Sequence, residues 1–384
     1  MTVTLVSINI LFVEIYHGYE LLEMNVLLKM NVMNDNEQKN RVRGSLIGGA
    51  IGDALGFPVE FIYSYEDIQK RFGEKGITKL SSVQGWADID KAVISDDTQM
   101  TLFTALGILN AKQNGMDPVS SICQAYIEWL YTQNGVRSPR FKNCWIGDLP
   151  ELNVRRAPGS TCITALERII QGYAPINNSK GCGGIMRIAP IPLYGFSQNR
   201  ISDVAALNEL AADAAELTHR HPLGYITAYV MAHIIYRLGT DESPTREAFH
   251  EYVFEAIQMA DDKYASNSQS MKILCALMEK VFILACKDVP EHEAISQIGE
   301  GWVAEETLAI AVYCVSKHFD DFEKAIIASV NHGGDSDSPG SVTGNILGAA
   351  VGYDAIPNCF KNDLQLHDII LHVADDLWLG HSTR

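Results

Sequence analysis

RGSLIGGAIGDALGFPVEF, residues 43–61, places glycine at 44, 48, 52 and 56. GGDSDSPGSVTGNILGAAVG, residues 333–352, repeats the device with glycine at 340, 344, 348 and 352. A spacing of four sets each group along one face of a helix. Glycine inside a helix costs about 1 kcal/mol relative to alanine, so such a stripe asks for a compensating gain. Close backbone approach between two buried helices supplies one. Taken alone, the stripes say no more than tight packing.

The residues around the stripes add chemistry. Asp53 lies inside the first apolar helix and Glu60 follows Pro58, where that helix ends. A buried carboxylate is costly without a partner, and capping a neighbouring helix is one way to satisfy it. Ser95-Asp96-Asp97-Thr98 stands directly ahead of QMTLFTALGIL and reads as a helix N-cap with acidic residues at the positive end of the dipole. The same arrangement returns at Gly333-Gly334-Asp335-Ser336-Asp337-Ser338-Pro339, with Ser338 expected at the cap and Pro339 as the first helical residue. If the striped helices pack together, these acidic ends converge, and their repulsion then demands cations. Carboxylates and hydroxyls without a histidine or cysteine cluster favour Mg²⁺, Mn²⁺ or Ca²⁺ over zinc. A dense acidic site is commonly served by two metals about 4 Å apart.

A third region, Arg155 to Thr161 and then Ser179-Lys180-Gly181-Cys182-Gly183-Gly184-Ile185-Met186-Arg187, is rich in glycine ahead of apolar residues. Loops of this kind can present amides to phosphate. The spacing is neither a Walker loop nor a dinucleotide fingerprint, and the bare pattern reads first as a plain tight turn.

The remainder predicts one all-α domain over 38–384. Helical periodicity runs through LFTALGIL after Asp97, from Ile122, through ALERIIQGY, from Val204 to Leu238 as one long run, and from Glu306. Linkers are short and polar, at 110–118 and 239–244. The 384 residues are 47% hydrophobic and 20% charged, enough to bury a large core. A net charge of -17 disfavours a nucleic-acid partner. The eight cysteines form no CxxC pair, which fits a reducing cytoplasm and argues against zinc or a disulfide framework. The apolar run from Thr2 to Val13 lacks a basic flank and is too short to span a bilayer, so neither signal peptide nor membrane association is expected. Residues 1–36 form an extension with two readings: a dispensable start, with Met33 as an alternative initiator, or an arm that docks on a partner.

Taken in order, GGAIGDALGFPVE, SDDTQM, RRAPGSTC, KGCGGIMRIAPI, LTHRHPLGY and NHGGDSDSPGSVTGNILGAAVG resemble the ADP-ribosylglycohydrolase family, over roughly residues 40–357. The resemblance implies a single helical domain with a binuclear Mg²⁺ or Mn²⁺ site at helix N-termini in a core cleft. It implies hydrolysis of the bond between ADP-ribose and a protein side chain, with arginine as the expected linkage and reversal of mono-ADP-ribosylation as the outcome. Ser95, Asp96 and Asp97 correspond to one half of the metal shell, and Asp335, Asp337 and Ser338 to the other. Glu60 and Asp97 correspond to the catalytic base or guanidinium contact, and Asp53 to a position behind the ligands. Gly181, Cys182, Gly183, Gly184 and Met186 resemble the substrate's diphosphate and ribose cradle, with Gly159 and Thr161 as weaker members. His219 matches a position near the distal ribose, whereas His221 is an ordinary helix-end histidine.

Two departures stand out: Ser338 where threonine is common, and Pro339 where an aliphatic residue is common. Serine keeps the hydroxyl. Rival expectations are hydrolysis of a serine, O-acetyl-ADP-ribose or nucleic-acid-base linkage, or an immunity protein whose residues 1–36 bind an ADP-ribosyltransferase toxin.

Overall fold

Glycine stripes meet glycine stripes. In the computed structural model, which describes residues 33–81 and 91–384, the first striped helix is α1 (Asp35–Gly56). Seven helices follow it: α2 (Tyr65–Phe72), α3 (Asp96–Asn114), α4 (Pro118–Thr132), α5 (Ser160–Ile170), α6 (Pro190–Phe196), α7 (Val204–Glu216) and α8 (Pro222–Thr240). The remainder are α9 (Arg246–Lys263), α10 (Ser268–Ala285), α11 (Glu291–Ile298), α12 (Ala304–His318), α13 (Phe322–Val330), the second striped helix α14 (Asp337–Val351), α15 (Asn358–Asp363) and α16 (His367–Leu379). Short 3-10 turns and three isolated bridges complete the regular structure of the described residues. The expected all-α class is what the chain adopts. No helix among the described residues is long and apolar enough to cross a membrane. Residues 1–32, which carry most of the expected arm, lie outside the described residues.

α1 and α14 run antiparallel in backbone contact. A Cβ added to Gly52 would sit 1.9 Å from the Gly340 carbonyl oxygen, one on Gly344 1.9 Å from that of Gly48, and one on Gly348 2.1 Å from that of Gly44. No side chain intervenes, so the gain is dispersion and apolar burial over two full helix faces. Ser45 Oγ adds a hydrogen bond to the Asn345 carbonyl at 2.8 Å. On the outer side of α1, Arg43 forms a forked pair with Asp375 of α16, at 2.6 and 2.7 Å.

Three local expectations are corrected. The helix after the DSDS motif begins at Asp337 with Ser336 at the cap position, so Ser338 and Pro339 lie inside its first turn. The reason is visible at the Ser338 amide, which donates to Asp335 Oδ1 and Asp337 Oδ1 at 3.3 and 2.9 Å and so satisfies a helix-start donor without a serine cap. The run from Val204 to Leu238 breaks into α7 and α8, because Pro222 has no N–H with which to continue a helix. It opens α8 instead, with His221 Nδ1 accepting from Leu223 N at 3.1 Å. His221 is thus the helix-end residue expected. Finally, α3 continues to Asn114, where Gly115 adopts the left-handed conformation that closes it, so the 110–118 linker shrinks to three residues.

Candidate active site

The antiparallel crossing decides what meets. It brings the C-terminal end of α1 to the N-terminal end of α14: a Cβ on Gly56 would stand 2.5 Å from Asp337 Cα. Asp53, one turn earlier, is fully buried and caps α3. Its carboxylate accepts from Ser95 N at 3.0 and 3.1 Å, from Thr98 N at 3.1 Å and from Thr98 Oγ1 at 2.5 Å. Asp53 therefore orients the SDDT turn from behind. Burial and then Asp337 raise its pKa to about 7. Replacing Asp53 by alanine strands two buried amides and is expected to lower stability by about 1–3 kcal/mol, read as a shift in the urea midpoint, with turnover falling as the turn loosens.

With Asp53 behind them, the other acidic groups face one another. Asp96 Oδ2 accepts from Gly159 N at 3.2 Å, and the Asp96 amide donates to the Arg156 carbonyl at 3.0 Å. Asp97 N donates to Ser95 Oγ at 3.2 Å, while Asp97 Oδ2 is buried without a partner. Burial first and Asp337 second lift Asp96, Asp97 and Asp335 well above the ordinary carboxylate range. Burial raises Asp337 as well. Glu60 is pushed up to about 12 by burial and then by Asp337, Asp335, Asp96 and Asp53, and its Oε2 is enclosed without a partner. The two acidic clusters that the sequence places at separate helix starts are thus buried close enough to act on one another.

As placed, these side chains do not form a closed metal cage: among the described residues no three His, Cys, Asp or Glu groups meet as one. Most of their oxygens turn to amides, hydroxyls and each other. The donor chemistry nevertheless fits hard divalent cations. Every candidate donor is an oxygen, two buried carboxylate oxygens are unpartnered, and mutual repulsion is the chief cost after burial.

The glycine loop lies against this cluster. Thr101 Oγ1 of α3, which donates to the Asp97 carbonyl at 2.8 Å, lies 3.4 Å from the Met186 carbonyl, and burial together with Asp335 and Asp97 raises the Cys182 thiol. Thr161 Oγ1 pairs with Ser179 Oγ at 3.0 Å, and the His219 ring packs on Gly181 and Gly183. Gly184 has Gly224 O 2.7 Å from where its Cβ would be, so that glycine is needed for packing. Gly159 differs from the rest, since its amide is committed to Asp96.

Sequence reading missed the wall formed by Gly299–Val303. Asp335 N donates to Glu300 O at 2.9 Å, and Cys182 N donates to Trp302 O at 3.2 Å. Gly301, at φ +86°, leaves 2.6 Å between a would-be Cβ and Asp335 O. Trp302 also stacks on Phe61, with ring centroids 5.4 Å apart. Paired glycines around GEGW were the available signal.

Comparison with known proteins places the chain in a family. Residues 34–384 match the family model described as ADP-ribosylglycohydrolase. The ADP-ribosyl-[dinitrogen reductase] glycohydrolase of Rhodospirillum rubrum is 26% identical over 333 residues, covering 85% of this chain and 91% of that protein. The ADP-ribosylhydrolase ARH3 of Gallus gallus is 26% identical over 216 residues, 52% of this chain and 57% of that one. A solved structure titled ADP-ribosylglycohydrolase-related protein complex superposes with a TM-score of 0.61 at 22% identity, covering 90% of this chain and 99% of that chain, which shows the shared fold.

Proposed function

Because this chain belongs to the ADP-ribosylglycohydrolase family and is therefore a glycosidase acting on ADP-ribosyl bonds, we propose that the bond it hydrolyses is the N-glycosidic linkage of ADP-ribose to a protein arginine. One observation carries the choice of linkage. The acidic cluster lies beside the glycine loop, and Glu60 Oε2 is buried there without a partner, its pKa pushed up to about 12 for want of a counter-charge that a guanidinium would supply. A serine linkage offers no cation to such a group.

We assign two Mg²⁺ or Mn²⁺ ions to Ser95, Asp96, Asp97, Asp335, Asp337 and Ser338, where they would neutralise the acidic cluster and polarise ligand oxygens. The chain's own groups do the remainder. Asp53 fixes the SDDT turn. With cations in place of the protons that burial now holds on them, one of Asp97 and Glu60 would take the proton from the attacking water and pass it to the departing nitrogen. The other would hold the guanidinium so formed. The loop Gly181 to Met186 and the ring of His219 seat the diphosphate and distal ribose, and the Gly299–Val303 wall keeps Asp335 in place. The partner is the ADP-ribosylated protein itself.

The test is release of ADP-ribose from an arginine-linked protein, a serine-linked peptide and O-acetyl-ADP-ribose, with and without EDTA. Turnover of the arginine substrate alone, lost with EDTA and with Asp335→Ala, is the expected result. Turnover confined to the serine or acetyl substrate would overturn the linkage, and turnover that survives EDTA would overturn the metals.

A further inference from the structure

Arg187 follows the glycine loop directly and is fully buried, yet among the described residues no carboxylate pairs with it. Its guanidinium lies over the Tyr126 ring, 4.2 Å from the centroid. Nη1 points at Cys162 Sγ and Met100 Sδ, both at 3.4 Å, and Nη2 donates to Ala214 O at 3.2 Å and to Thr218 Oγ1 at 2.7 Å. A buried cation held without a counter-charge is expensive. Its contact with Thr218 gives it a use.

Thr218 Oγ1 also lies 2.9 Å from His219 Nδ1. Arginine can only donate, so the hydroxyl accepts from Arg187 and has a single hydrogen left to give. The alternatives for that hydrogen are His219 Nδ1 at 2.9 Å, Ala215 O at 3.5 Å and the Cys162 sulfur, a weak acceptor. Distance favours the histidine. Electrostatics agrees, because a guanidinium 2.7 Å from the hydroxyl attracts a ring lone pair and repels an N–H dipole turned toward it. Nδ1 is then the acceptor and the ring proton sits on Nε2.

That Nε2 edge faces the loop: would-be Cβ atoms on Gly181 and Gly183 each stand 3.3 Å from it. His219 is 2% exposed, and no hydrogen bond to its Nε2 is made among the described residues. A donor is thus aimed into the cradle with nothing to donate to. We propose that Arg187 and Thr218 act together as positioning residues that hold His219 as its Nε2–H tautomer, so that the ring offers a neutral N–H to an acceptor oxygen of ADP-ribose seated over Gly181–Gly184. This rests on the reading that the glycine loop takes ADP-ribose. Burial, followed by Arg187, also lowers the His219 pKa to about 3, so the ring adds no charge beside the diphosphate.

The test uses the full chain with ¹⁵N-labelled histidine. The His219 ring signals are assigned by their loss in His219→Asn, and ADP-ribose affinity is measured by calorimetry. Wild type is expected to show the Nε2–H tautomer. Thr218→Val, which removes the hydroxyl, is expected to mix the tautomers and weaken ADP-ribose binding about tenfold, while Thr218→Ser restores both. A wild-type spectrum with the proton on Nδ1, or a Thr218→Val spectrum identical to wild type, would overturn the relay. If the tautomer follows Thr218 but wild type binds no ADP-ribose, the seating of substrate on this loop is what fails.

Discussion

Gly52→Val is expected to leave no folded protein, seen as loss of soluble expression and of any cooperative unfolding transition. Even the first added carbon would lie 1.9 Å from the Gly340 carbonyl oxygen and 2.2 Å from its carbon, both backbone atoms. No flexible side chain can give way. Restoring an ordinary carbon–oxygen contact requires α1 and α14 to part by more than about 1 Å, which strips dispersion from both faces. Overpacking against side chains costs about 1–3 kcal/mol, and against backbone it costs more, within a total stability of about 5–15 kcal/mol. Gly52→Ala is the milder version, and any protein that survives it is expected to be inactive, because parting the helices also parts Asp53 from Asp337. Gly159→Ala is the control: nothing lies within 4 Å of its added carbon and its φ is -58°. Its thermal midpoint should stay level or rise slightly.

Removing divalent metal at pH 8 is expected to abolish turnover and lower the thermal midpoint, and Mg²⁺ or Mn²⁺ should restore both. In the ion-free protein six carboxyl groups have pKa values raised above their unfolded values, Asp53 to about 7 and Glu60 to about 12. The folded state therefore holds more protons than the unfolded state above the usual carboxylate range. Stability is then greatest below about pH 4 as far as these groups are concerned, and falls as pH rises. Metal replaces the protons, so its stabilising increment should grow from pH 5 to pH 8. Neutralising the cluster by mutation should separate stability from function. Asp335→Asn with Asp337→Asn is expected to raise the midpoint of the ion-free protein at pH 8, by on the order of 1 kcal/mol, while lowering turnover by about a thousandfold. A metal-independent midpoint in wild type, or an ion-free double variant less stable than ion-free wild type, would count against the acidic cluster as a cation site.

Much of this site was legible in sequence because its parts are local patterns. A glycine every fourth residue specifies a helix face bare enough for backbone contact, and a Ser-Asp-Asp run ahead of apolar residues specifies a helix start. The break at Pro222 was equally local, but the apolar period carries on past LTHRH and hid it. The start of α14 at Asp337 was harder to see: Ser338, expected to accept at the cap, instead donates its own amide to two aspartates, one of them outside the helix. Arg187 and Thr218 lay inside quoted motifs without a role, since nothing local shows that residues 31 positions apart share a hydrogen bond.

The amino-acid sequence by itself determined the helical class, the two bare helix faces and the fact that the candidate donors at the two helix starts are oxygens. Tertiary structure alone decided how those donors divide their work. Asp53 is spent on the amides of α3, Gly159 on Asp96, and Asp97 and Glu60 keep free oxygens. The wall at Gly299–Val303 and the tautomer of His219 belong to the same class. The physical reason is that pairing and proton affinity depend on burial and on distances of a few ångströms between residues remote in the chain. Those distances exist only after α1 and α14 have closed on each other.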